Sequence, residues 1–447
     1  MRALLSHIGA CAVVLVLAVP QSLSARVFDP ATFTLDNGME VVVVENRRVP
    51  VVSHMVWYKV GAADEEPGKT GLAHLFEHLM FKGTNEIPPG EFSKIVARQG
   101  GRDNAFTSSD YTGYFQNIAA DKLELVMKME ADRMHNLRLS VQDVLTERDV
   151  VLEERRSRTD NNPSALLAER MDAAFYIRHP YRNPVIGWPE EVSKLDLEDA
   201  LAFYKRWYAP NNAILVVAGD VDPARVKDLA RKYYGAIPRG DVPVRNRPED
   251  PPLVAAKRVE LRDPRVQQPA WSRYYQAPSY RSGATEMAYP LQVLAEVLGG
   301  SATSRLYREL AVGQELAAGA SAWYNPTAYD RSVFGIGVSP RPGIDMEKIE
   351  AATEAVLAKV LTQGLSEEEV EQAKKRLRAN VAYARDSLHT GARVLGEALT
   401  TGQNVADVES WPERIGAVTA AQVAEAARAV LRTESSVTGL LLPEPRG

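Results

Sequence analysis

The chain has 447 residues, of which 45% are hydrophobic and 25% charged, and a formal net charge of −5. That length allows two or three domains, each with its own core, and the composition is that of a globular protein. A net negative charge supplies no pull toward nucleic acid or an anionic membrane, so neither is expected as a partner.

The first 25 residues differ from the rest. Arg2 gives a positive start, Ile8 to Val19 is apolar without a charge, and Ser22-Leu23-Ser24-Ala25 offers small residues for cleavage. This reads as a secretory signal peptide cut after Ser24 or Ala25. The apolar run is too short to span a bilayer and no later stretch is long enough, so no stable membrane insertion is expected once the leader is removed. The only cysteine, Cys11, lies in the leader, so the mature chain would have neither thiol nor disulfide. Export without disulfides fits the periplasm of a Gram-negative cell.

From Phe33 the pattern turns to strands. A turn at Asn37-Gly38 precedes the β-branched run Val41 to Val44, and Val51 to Val60 follows a bend at Pro50. Gly61 to Gly71 reads as a loop. A helix then carries His74-Leu75-Phe76-Glu77-His78 and continues to Phe81 before Gly83. Side chains four apart on a helix share a face, so His74 and His78 project together with Glu77 beside them. Two imidazoles so placed can hold one divalent metal, and a catalytic zinc keeps three protein ligands and an open position. The carboxylate can take a proton from water there. The competing reading, two packed or surface histidines, has to draw on a chain with only seven histidines.

A second helix, Pro89 to Gln99, ends at Gly100-Gly101, and strands are expected at Asn104-Ala105-Phe106-Thr107-Ser108 and Tyr111 to Asn117. Leu123 to Asn136 has helical apolar spacing. Ser140 with Asp143 opens a helix from Val141 to about Arg158. On it Glu147 and Glu154, two turns apart, share a face; beside Arg148, Arg155 and Arg156 they read, taken alone, as a solvated charged surface.

Residues 195–208 read as a helix and Ala213 to Gly219 as a buried strand. Proline and charge from Pro238 to Pro252 mark an interdomain linker. The plan then recurs. Strands are expected near Trp271 to Tyr275, Ala317 to Tyr324 and Val333 to Val338, and helices at Thr285 to Leu298, Asp345 to Leu361 and from Ser366, where Ser366 and Glu369 form a capping box. A last helix opens with Thr419 and Gln422 before a final strand, Ser436 to Leu442. Helix-then-strand endings at 195–219 and 419–442 hint at two related halves.

His74-x-x-Glu77-His78, followed by Glu147-Arg148-Asp149-Val150-Val151-Leu152-Glu153-Glu154, resembles the pitrilysin-like (M16) metallopeptidases, which carry the HxxEH motif. In that family the third zinc ligand is a glutamate about 76 residues past the second histidine, which here falls on Glu154. Helical geometry alone separates Glu153 from Glu154 only in part: Glu154 shares a face with Glu147, and Glu153 points about 100° away. The resemblance implies one zinc per chain on His74, His78 and Glu154, with Glu77 as general base and Glu147 orienting a histidine. Gly101-x-x-Asn104-Ala105-Phe106-Thr107 is similar to the family's edge strand. It implies that Asn104, Ala105, Phe106 and Thr107 bind a peptide by strand addition. Phe81 and Phe106 are candidates to line side-chain pockets near the scissile bond, and Phe81 reads equally well as an ordinary core aromatic.

The implied fold is α+β: two related halves, each a mainly antiparallel sheet covered by helices, facing each other across a cavity. The implied divisions are a leader, 1–25; an N-terminal domain with the zinc site, 26–240; a linker, 241–262; and a C-terminal domain, 263–447. There is a departure. Active single-chain relatives have Arg-Glu-Leu-Arg with a tyrosine seven residues on, which hold substrate and its tetrahedral intermediate. Here the run is Arg308-Glu309-Leu310-Ala311, and seven further on stands Ala318. Loss of one oxyanion donor costs on the order of 10² to 10³ in rate. A zinc-dependent endopeptidase is therefore expected to work as the catalytic subunit of a heterodimer whose homologous partner supplies that pair. The alternatives are a non-hydrolytic structural or assembly subunit and a metal-storage or sensor module. In neither does Glu77 have a task.

Overall fold

The computed structural model describes residues 27–384 and 387–444, so the expected leader, with Cys11, lies outside the described residues. The first half is built on a six-stranded sheet. Its strands are β1 (Ala31–Thr34), β2 (Glu40–Glu45), β3 (Val51–Tyr58), β4 (Arg102–Thr107), β5 (Thr112–Ala119) and β6 (Ala213–Gly219). They lie in the order β1-β2-β6-β3-β5-β4. Only β2 and β6 run parallel; the other pairs are antiparallel. β4 is an edge strand, paired with β5 from Arg102↔Asn117 to Thr107↔Thr112.

The second half repeats this with five strands, β7 (Lys257–Asp263), β8 (Ala270–Ala277), β9 (Ala317–Tyr324), β10 (Ser332–Pro340) and β11 (Ser436–Pro443), ordered β7-β11-β8-β10-β9. Again one pair, β7 with β11, is parallel. β7 occupies residues that sequence composition assigns to the linker. Its alternation, with Val259 and Leu261 facing inward between charged residues, is that of a strand with one wet face.

The continuous apolar runs of β2, β3 and β6 follow from burial on both faces. Val41, Val43, Val56, Leu215 and Val217 face one core, shared with the helices of the first half. Val42, Val44, Met55, Trp57, Ile214 and Val216 face the other way, against Ala392, Leu395 and Ala398. Those three come from the helix Leu388–Thr400, which belongs to the second half of the sequence. The exchange is reciprocal. The helices α1 (Leu72–Leu79), α2 (Glu91–Arg98), α3 (Leu123–Asn136), α4 (Val141–Arg155) and α5 (Pro163–Phe175) follow in the first half. Of these, α5 lays Leu167, Met171 and Phe175 on Val437 and Leu441 of the second sheet. Each half thus covers one face of its sheet itself and lends a helix to the other half. A cleft of about 280 Å³ remains between them, lined among others by Tyr111, Asp172, Tyr176, Trp323 and Glu397.

Candidate metal centre and active site

α1 begins at Gly71, whose φ of +86° suits glycine and whose position leaves no room for a Cβ: one would meet Ile186 O at 2.8 Å and Gly187 Cα at 3.0 Å. Gly71 offers no side chain to cap the helix. Glu65 does so instead, accepting from Gly71 N (3.1 Å) and Ala73 N (2.7 Å), which satisfies donors that the helix leaves free and places a carboxylate at the positive end of its dipole. α4 starts at the capping box of Ser140 and Asp143 and runs on as a π-helical turn, Arg156–Asp160. Its end is fixed by Arg155, which is buried rather than part of a solvated face. Arg155 donates to Glu169 (2.7 Å) and to the carbonyl of Gly187 (3.0 Å). Gly187 therefore touches the start of α1 and holds the end of α4, which sets the spacing of the two helices that carry the site.

Across that spacing three side chains meet. His74 Nε2 stands 3.7 Å from Glu154 Oε1, and His78 Nε2 stands 3.4 Å from Glu154 Oε2. Ligands at about 2.0–2.1 Å from one cation in tetrahedral array are about 3.4 Å apart. The one ligand atom offered by each of His74, His78 and Glu154 lies within 4.8 Å of the others, so the donor set fits a single divalent ion. Glu153 does not join this group: it pairs with Arg156 at 2.8 Å on the exposed side of α4.

The surroundings set the charge of the two imidazoles. Burial, and secondarily the neighbouring His78, lower the His74 imidazole to about 3, so it is neutral and free to bind metal. Burial works against a charged His78 as well, but the Glu147 hydrogen bond and the charges of Glu77 and Glu154 outweigh it and raise its pKa. His78 Nδ1 donates to Glu147 Oε2 at 3.0 Å, which leaves Nε2 on the side of Glu154. That hydrogen bond, helped by the Lys82 ammonium at 2.5 Å, holds the Glu147 carboxyl down to about 2.

Glu77 lies between the histidines on α1, and burial raises its pKa. Thr107 Oγ1 donates to its Oε2 at 2.6 Å, so the edge strand reaches the carboxylate directly. Ala105 packs on the core beneath α1, while Phe106 turns to the opposite face of the sheet, against Trp57 at 4.9 Å and Tyr111 at 6.2 Å. This corrects the expectation for Phe106: side chains alternate along a strand, so Thr107 and Phe106 cannot both face Glu77. Asn104 is exposed, its Oδ1 accepting from Ala105 N. Phe81, one turn beyond Glu77, is half-buried and packs against Phe92 and Tyr114, with the Arg133 guanidinium 4.8 Å from its ring centre.

Four contributors escape a sequence reading: Glu65, Gly187, Arg155 and Arg158. Arg158, one turn past Glu154, pairs with Glu154 Oε1; its i,i+4 spacing is the one signal that points to it. In the second half, Ala311 is buried and Ala318 is exposed on edge strand β9, and neither side chain can donate a hydrogen bond.

Two sheets thus exchange helices, and the HxxEH helix is set against a glutamate-bearing one. Residues 40–188 match the model of "Insulinase (Peptidase family M16)", and residues 194–377 match "Peptidase M16 inactive domain". The chain belongs to the M16 peptidase family. It is 32% identical to the zinc protease PqqE of Helicobacter pylori over 82% of this chain and 83% of that one. It is 30% identical to an uncharacterized zinc protease of Mycobacterium leprae over 87% and 86%. Among solved structures, a protease from Helicobacter pylori superposes with a TM-score of 0.87 at 29% identity, covering 93% of this chain and 99% of that one. The periplasmic protease PqqL from Escherichia coli shares the fold, with a TM-score of 0.79 at 20% identity; the match covers 94% of this chain and 48% of that one.

Proposed function

We propose that this chain is the metal-carrying subunit of an exported zinc endopeptidase, cleaving peptides or short unfolded segments, and that a homologous chain completes its active site. The observation that carries the reading is the meeting of His74, His78 and Glu154 beside a carboxylate, Glu77, that is no ligand itself. His74, His78 and Glu154 would hold one zinc. Zinc supplies Lewis acidity toward a peptide carbonyl and lowers the pKa of water toward neutrality. Glu77, buried beside the three side chains, takes the proton of the attacking water and returns it to the leaving nitrogen. The free edge of β4 receives the substrate as an added strand, binding its main chain with little choice of sequence.

The need for a partner rests on Ala311 and Ala318, two positions that offer no side-chain donor to a developing oxyanion. A fold that matches 48% of the PqqL chain is in keeping with two such units per enzyme. The leader-like first 25 residues support export to a periplasm. The same two alanines favour the second reading, a non-hydrolytic assembly subunit.

Isolating the chain from its own host through a C-terminal tag, and assaying it on unfolded polypeptide, separates these. The peptidase reading expects a co-purifying homologous chain, cleavage by the pair, and loss of at least about 10³ in rate in Glu77→Gln with zinc retained. Wild-type and Glu77→Gln preparations that are equally inert would leave the assembly subunit as the answer.

A further inference from the structure

We propose that Thr107 is a positioning residue for the general base, tying the orientation of Glu77 to the strand edge on which substrate lies; this rests on the peptidase reading above. Thr107 is the last residue of β4. Its inner side is fixed by pairing with Thr112, which itself donates to Val60 O at 3.0 Å. The residues that follow are clamped as well: Ala62 N donates to Ser108 O (3.0 Å) and Ala63 N to Ser109 O (2.9 Å). A Cβ on Gly61 would meet Ser108 O at 2.4 Å, so that crossing is close. The backbone of Thr107 is therefore rigid on one side, and its other side is the free edge of the sheet.

From this fixed point the hydroxyl reaches Glu77 Oε2 at 2.6 Å, in the range of a charge-assisted bond from hydroxyl to carboxylate. Among the described residues no side chain donates to Oε1. Thr107 thus decides which oxygen is tied down and which is left to accept a proton. The terminal torsion of a glutamate is otherwise broad and roughly two-fold, so an untied Glu77 would present either oxygen at a spread of angles. Threonine suits the task because its branched Cβ restricts χ1, which aims the hydroxyl as well as supplying it. A peptide added to β4 takes its register from the same residue, so the scissile bond and the base share one reference point. A shared reference of this kind is what a near-attack geometry calls for.

The test compares the chain isolated from its host, together with any partner, with Thr107→Val and Thr107→Ser. Valine keeps the shape and strand preference and removes the hydroxyl; serine keeps the hydroxyl. Thr107→Val is expected to lower kcat by about 10- to 100-fold. KM should stay within about two-fold, as should zinc content and the affinity of the metal-free chain for a non-cleavable peptide. Thr107→Ser is expected to recover kcat to within about three-fold of wild type. The proposal is overturned if Thr107→Val keeps the wild-type kcat, if serine fails to rescue, or if kcat and peptide affinity fall together as a purely structural role requires. A wild-type preparation that cleaves nothing overturns the peptidase reading and this one with it.

Discussion

Asp172, half-buried on α5 at the cleft between the halves, accepts no hydrogen bond from any described side chain. Burial first, and then the charge of Glu169, push its carboxyl up to about 7. An aspartate in the unfolded chain titrates near about 3.9. The folded state therefore holds this proton more tightly, so its contribution to stability is complete below about pH 4 and is lost as the pH climbs through about 7. Asp172→Asn removes that dependence. The variant is expected to be more stable than wild type by about 1–2 kcal/mol at pH 8 and little changed at pH 4, measured by urea unfolding at both; equal stability at pH 8 would contradict this. Legibility at this scale depended on distance along the chain. The pair His74 and His78 could be read from one helical turn. That Glu154 rather than Glu153 would meet them was expected from family resemblance, because the meeting depends on the packing of α1 on α4. Glu65 gave no signal at all, since it caps a helix from six residues before its first carbonyl turn, inside a stretch that reads as loop.

Between elements, close contacts form where each half lends its helix to the other. A Cβ on Gly396, in the helix Leu388–Thr400, would meet the Trp57 ring at 2.1 Å, and one on Gly439 of β11 would meet Met171 Sδ at 2.1 Å. Trp57 cannot yield easily, since Phe106 and Tyr111 pack edge-on against it. Alanine for glycine inside a helix ordinarily gains roughly 1 kcal/mol, whereas overpacking a filled core costs typically about 1–3. Here the second effect wins, so Gly396→Ala is expected to lower Tm, and an unchanged or raised Tm would mean that the helix does not sit this close to the sheet. Most strands were legible because β-branched runs bounded by turns are a local signal. Their lack of alternation left open what covered the second face. α5 and the helix Leu388–Thr400 went unread for that reason: their partners lie in the other half of the sequence. β7 was hidden by its charged outer face, which made it look like the proline-rich segment before it.

At the scale of the whole molecule, the segment joining the halves also locks them. Arg247 reaches Asp64 (2.9 Å) and Asp110 (2.6 Å) in the first half and Asp330 (3.0 Å) in the second, and Arg245 donates to the carbonyl of Thr400 at 3.2 Å. Asp110 sits in the turn that follows β4, so the same guanidinium that joins the halves steadies the end of the strand from which Thr107 reaches Glu77. Removing Arg247 leaves the Asp110 carboxylate with no cation among the described residues, while Asp64 keeps Arg245 at 3.4 Å and Asp330 keeps His179 at 3.0 Å; an uncompensated buried charge of this kind costs about 3–5 kcal/mol. Arg247→Met is expected to lose that much in denaturant unfolding, and a loss under about 1 kcal/mol would show that the cluster is not what fastens the halves.

All of this scaffolding, from the Gly71–Gly187 contact to the buried Arg155, serves to bring one glutamate within reach of two imidazoles. Elemental analysis of purified wild type, Glu154→Gln and Glu153→Gln tests that most directly. One zinc per chain in wild type and Glu153→Gln, with less than about 0.1 in Glu154→Gln, is the expected result; a Glu154→Gln protein that keeps its full zinc would contradict the site.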